Sequence, residues 1–202
     1  MRTKEILHEL KHHLPFTAFA TISAIILVIF LQYLFQKQIS EGLFEIFHPL
    51  HIMASSIVTA GIFYKYKPKL ISALLIGITG SIIIGSLSDI ILPWLGGNLL
   101  GLGTSFHLLL IEKPVLILSL AIIGSSIGIS TKITKMPHFI HVFLSVFASL
   151  FYLLAFSLNF SLVYFVGAFL IVFIAVIIPC CISDLLFPFF FLGEKIKKCE
   201  CK

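Results

Sequence analysis

Six apolar stretches, each about as long as a bilayer-crossing helix or longer, make up most of this chain and leave no room for a water-soluble core. They cover roughly 14–36, 44–64, 70–93, 106–130, 138–158 and 161–192. A helix needs ~20 predominantly apolar residues to cross the hydrocarbon of a membrane. The last stretch exceeds that length, and Pro179 and Pro188 give it places to break or tilt. The runs are continuous rather than alternating, which argues against the strands of a membrane barrel. Composition agrees: 59% of the 202 residues are hydrophobic, 11% are charged, and the mean hydropathy is +1.12. A soluble domain carries about 25% charged residues. The expected class is therefore an all-α polytopic membrane protein that uses lipid as its solvent.

The basic residues set the expected direction. With the N-terminus inside, Arg2, Lys4, Lys11, Lys65, Lys67, Lys69, Lys132, Lys135, Lys195, Lys197, Lys198 and Lys202 all fall on the cytoplasmic side. The positive-inside rule then puts both termini in the cytoplasm. Lys37 lies in an outside loop and Lys113 within the fourth span. The net charge of +5 thus reads as topology and anionic-lipid contact rather than nucleic-acid binding. Residues 1–13 are polar and the following run lacks a small-residue cleavage site, so no cleavable signal peptide is expected. An integral protein of the plasma (inner) membrane is the resulting expectation.

The two halves of the chain echo each other. His48-Pro49-Leu50-His51 opens the second span and His138-Phe139-Ile140-His141 opens the fifth. Ser55 and Thr59 follow the first pair as Ser145 and Ser149 follow the second, at a constant offset of 90 residues. Helical periodicity puts each set of four on one narrow stripe. The third and sixth spans end in Ser88-Asp89-Ile90-Ile91-Leu92-Pro93 and Ser183-Asp184-Leu185-Leu186-Phe187-Pro188, which contain the chain's two Asp residues. His13-Leu14-Pro15 and Glu112-Lys113-Pro114 match more loosely. Three spans per repeat is an odd number, so residues 99–202 would be inverted relative to residues 1–98. Inverted repeats of this kind recur in secondary transporters.

Inverted symmetry predicts two clusters of ionisable groups. One gathers His48, His51 and Asp89 near the outer side, with His107 or Glu112. The other gathers His138, His141 and Asp184 near the inner side, with His12 or His13. Two His at i and i+3 lie close enough to reach one cation. An Asp and a third helix would complete a nitrogen–oxygen site for Zn, Fe, Mn, Co or Ni. Pro93 and Pro188 should leave the carbonyls of Asp89 and Asp184 without helical donors. Ionisable groups in membrane spans cost about 2.5–3.5 kcal/mol or more each and tend to be functional.

Other features are weaker. Glu112 beside Lys113 reads as an intrahelical pair, or Lys113 as a counter-charge to the outer cluster. Cys180 and Cys181 lie near the Asp184 face, where they read as packed free thiols or as soft ligands. Cys199 and Cys201 sit in a tail where thiols stay reduced. Gly124 and Gly128 have the small-xxx-small spacing of a helix contact. Gly96, Gly97, Gly101 and Gly103 predict a flexible outer loop, apolar enough to be re-entrant.

The expected function is a transporter or exchanger for a divalent transition-metal ion, with protons as counter-ion because neutral His ligates and titrates near pH 7. The alternatives are an intramembrane metalloenzyme, with one cluster holding a metal, and a proton-coupled permease for a small organic solute. An i, i+3 His pair on one helix does not suit haem. No phosphate-binding loop is present, so no ATP site is expected. A lipid-facing surface rich in Phe would accept a second copy as a homodimer.

Overall fold

The computed structural model describes residues 14–15, 17–27, 29–30, 41–131, 135–158, 165–182, 187 and 191. Of these, 135–139, 165 and 180–182 are described by backbone alone. The described residues are helical throughout apart from short connections and one isolated bridge, Thr104↔Ser157. In chain order the helices are α1 (Thr17–Leu27), α2 (Glu41–Tyr66), α3 (Leu70–Leu99), α4 (Leu109–Glu112), α5 (Pro114–Thr131), α6 (Lys135–Phe156) and α7 (Phe165–Ala175). The last continues into a π-helical stretch, Val176–Ile182.

Three of them, α2, α3 and α5, are long and apolar enough to cross a membrane. Three shorter apolar segments accompany them: α1, Ile140–Phe156 and Val166–Pro179. Large apolar side chains face outward, among them Ile71, Val115 and Val166, each more than 70% exposed. In water so much exposed apolar surface would drive aggregation; against lipid it has no such cost.

Helix α2 is the centre of the bundle. Its most apolar window is 72% buried, against 44% for α3 and 33% for α5. It packs on α3, α5 and α6. The contact with α5 is close because Gly124 and Gly128 carry no side chain. A Cβ on either would collide with the backbone carbonyls of Met53 and Ile57 on α2. The small-xxx-small spacing is thus a helix contact, as its sequence implies.

Helix α3 is not uniform. Over Leu87–Ile91 it widens into a π-helical turn, with the Leu92 amide bonded to the Leu87 carbonyl. One residue later comes Pro93, which has no amide hydrogen to give. In this wider register the acceptor left waiting is the Ser88 carbonyl, not the Asp89 carbonyl expected from α-helical spacing. The hydroxyl of Ser149 on α6 reaches it at 3.1 Å, sharing its one proton with the Ser145 carbonyl at 2.7 Å.

The fourth stretch also differs from a single span over 106–130. Residues 105–108 have no regular secondary structure, α4 is one turn, and the chain breaks at Lys113, with φ −133° and ψ 59°, before α5 starts at Pro114. A residue before proline is pushed out of the helical region, and proline itself suits a first helical turn. Gly96 and Gly97 belong to the end of α3 rather than to a flexible loop. Gly101 and Gly103 do form the turn, with φ of 73° and 64°, where a side chain would be strained.

Candidate functional site

The predicted stripe on α2 faces inward: His48, His51, Ser55 and Thr59 are fully buried. So are His141, Ser145 and Ser149 on α6, and Ser88 and Asp89 in the π-turn of α3. The widened turn and the two stripes meet, and the Asp89 carboxylate is the point where they do.

Its two oxygens divide their partners. Oδ2 receives the Nδ1 atoms of His48 at 2.9 Å and His51 at 2.7 Å. Oδ1 receives the hydroxyls of Ser88 at 2.7 Å and Ser145 at 2.8 Å. A carboxylate has about four lone-pair sites and no proton to give. All four are used, so an ionised Asp89 requires a proton on each Nδ1. A neutral imidazole of that tautomer carries its remaining lone pair on Nε2. Nε2 of His48 is buried and has no hydrogen-bond partner among the described residues.

The charge balance follows. With both imidazoles neutral the centre would carry a net −1 inside a bundle of apolar helices, and a further proton on one Nε2 would cancel it. Isolated buried charge is costly, and a bound proton or cation removes it. Among the described residues, the ion pair that a lysine makes lies elsewhere, between Lys113 and Glu45.

The two sequence echoes also meet. The rings of His51 and His141 stack with centroids 5.7 Å apart and planes only 6° from parallel. These residues are separated by the 90-residue offset of the repeat. His141 therefore stands against the first cluster rather than apart from it in a second one. The reason is the direct packing of α2 on α6, which brings both His stripes to one seam. His138 lies on α6 with only its backbone described, while His12, His13 and Asp184 lie outside the described residues.

His107 and Glu112 do not complete the cluster. They pair with each other, Nδ1 to Oε1 at 3.2 Å, each more than a third exposed. The segment before α4 is held away from the centre by Tyr152, whose hydroxyl donates to the Ser105 carbonyl and accepts from the His107 amide. Phe44 and Phe156 lie between the two groups: His107 stacks on Phe156 at 4.2 Å, and Phe44 stacks on His48 at 5.2 Å. Lys113 neutralises neither Glu112 nor Asp89; it turns to Glu45.

Among the described residues, no three His, Cys, Asp or Glu side chains are disposed to hold a metal ion. In this conformation the centre is a closed hydrogen-bond network in which Asp89 orients imidazoles. Sequence reasoning missed Tyr152 and Glu45 as partners, though each is a polar group within an apolar stretch, and it read Ser88 as part of the repeated motif without giving it a partner.

The chain matches no protein-family model, and neither a curated protein nor a solved structure is significantly similar to it.

Proposed function

We propose that this chain is a proton-coupled membrane transporter whose exchange centre is His48, His51 and Asp89 with His141, and whose cargo is a divalent transition-metal ion. The observation that carries the reading is the buried carboxylate with two imidazole Nδ1 atoms on one oxygen. A carboxylate held on the far side of an imidazole fixes its tautomer and raises its basicity as a metal ligand. Nε2 of His48, which has no partner among the described residues, would be a ligating atom, with Asp89 as its outer support. Protons and metal compete for the same nitrogen lone pairs, which couples loading of one to release of the other.

Because no three ligands converge among the described residues, the ion-loaded state requires the two His stripes to shift against each other. The repeat supplies a means. Six spans in two inverted halves, with both termini in the cytoplasm of a cell bounded by its plasma (inner) membrane, would let residues 1–98 and 99–202 rock about the His51–His141 contact. The repeat makes Asp184 the counterpart of Asp89, and His138 and His141 the counterparts of His48 and His51. The surrounding bilayer, and a second copy if the chain is a homodimer, are the expected partners.

A second reading has its own observation. Both Asp89 oxygens are saturated by protein donors, as suits a proton relay that never touches cargo. The chain would then be a proton-coupled permease for a small organic solute. The intramembrane metalloenzyme rests on Cys180 and Cys181 as extra ligands, and their side chains lie outside the described residues.

Metal content separates these readings. The protein is purified in detergent without chelator, and metals per chain are counted by mass spectrometry for the wild type, Asp89→Ala and Asp184→Ala. The transporter predicts bound metal that both variants lose. Loss from one variant alone favours the metalloenzyme. No metal in any sample, with proton-linked activity retained, favours the permease.

A further inference from the structure

Between the exposed His107–Glu112 pair and the buried centre, four rings stand in an unbroken column. His107 stacks on Phe156 at 4.2 Å with planes 18° apart. Phe156 meets Phe44 edge-on at 5.6 Å, and Phe44 stacks on His48 at 5.2 Å with planes 17° apart. Tyr152 braces both phenylalanines, 5.2 Å from Phe44 and 4.9 Å from Phe156. The ends differ sharply: His107 is 38% exposed, whereas Phe44, Phe156 and His48 are all buried.

The segment above the column is fastened at several points. Lys113 pairs with Glu45 on α2, Thr104 and Ser157 share a hydroxyl hydrogen bond at 2.9 Å, and Trp94 meets Phe106 edge-on. An imidazole paired with a carboxylate thus marks each end of a short path, His107 with Glu112 and His48 with Asp89, and apolar rings fill its middle. Aromatic rings block water and ions until they rotate or part, and they cost little rotamer freedom to hold in place.

From this arrangement we infer that Phe44 and Phe156 are a closed gate between a cation-collecting mouth at His107 and Glu112 and the buried His48–His51–Asp89 centre. The inference deepens the transport reading, because a gate needs something to pass. The barrier itself can be tested without a transport assay. Opening needs Phe156 to swing from His107 and Phe44 from His48, which frees the mouth pair and uncovers the buried imidazole. The ion pair of Lys113 with Glu45 and the Tyr152 hydroxyl hold the closed position.

The test is hydrogen–deuterium exchange at the imidazole C2 position, read by mass spectrometry on the full chain in lipid nanodiscs. Rates are compared at the plateau of each pH profile, so that differences in protonation drop out. In the wild type, His107 should exchange at least about tenfold faster than His48 and His51, since exchange follows water access. Phe156→Ala should speed His48 toward the His107 rate. Phe147→Ala, which removes an equally buried ring from the same helix but outside the column, should leave His48 slow.

A wild-type His48 as fast as His107 would overturn the gate. So would equal acceleration by Phe147→Ala, which would mean general loosening. If Phe156→Ala fails to fold, Phe156→Leu is read instead, with a smaller acceleration expected and none contradicting the gate. Absence of bound metal from the wild type, with this exchange pattern kept, would count against the transport cargo alone, leaving the barrier intact.

Discussion

One face of α2 meets α5 through Gly124 and Gly128, which lie against the backbone carbonyls of Met53 and Ile57. The other meets α3 and α6 through His48, His51 and His141, Asp89, Ser88, Ser145 and Ser149, all fully buried. The first face is explained by packing: small residues let helices approach, and close approach is the main attraction between helices in lipid. Packing does not explain the second. An apolar seam of the same volume would avoid the desolvation of Asp89, and buried ionic groups are often replaceable by apolar ones without loss of stability. A seam that keeps a carboxylate and three imidazoles therefore has work beyond holding the helices together.

Breaking the polar face should have the largest effect. Asp89→Ala takes the shared acceptor from two imidazole Nδ1–H groups and from the Ser88 and Ser145 hydroxyls, and removing one partner of a buried pair costs about 3–5 kcal/mol. Denaturation in mixed micelles should show that loss, and transport should vanish even where Asp89→Asn restores the fold. Next comes the glycine face. Gly128→Leu forces a side chain against the Ile57 carbonyl, and overpacking costs about 1–3 kcal/mol. The same denaturation assay should show it, but the folded fraction should still transport. If Gly128→Leu abolished transport at equal folded amount, the division between a packing face and a working face would be lost.

Two smaller changes sharpen the contrast. Ser149→Ala deprives the Ser88 carbonyl of the donor that replaces Pro93, a loss of about 1 kcal/mol for an interhelical hydrogen bond in lipid. Its signature should be a changed pH profile of transport, since Ser88 also holds Asp89. Glu112→Gln should cost at most about 1 kcal/mol, because its pair with His107 is partly exposed. It should slow cation capture at low concentration and leave the maximal rate unchanged.

Helical periodicity made the stripe of His48, His51, Ser55 and Thr59 legible, and the spacing of Gly124 and Gly128 made their contact legible. Both depend on one helix's own geometry. The pairing of His51 with His141 was not, because periodicity says which residues share a stripe but not which stripe of another helix it meets. The Ser88–Ser149 bond depended on a π-turn, which shifts the orphaned carbonyl by one residue. Lys113 was misassigned for the same kind of reason: its neighbour in sequence is Glu112, while its partner Glu45 comes from a different helix.

The central claim is that one buried centre exchanges protons for cargo. Purified protein should be reconstituted into liposomes containing a pH-sensitive dye, and a divalent transition-metal gradient imposed. The account predicts metal uptake with proton movement in the opposite direction, both absent in His51→Ala and in His141→Ala. Metal and proton fluxes at wild-type level in both variants would contradict it.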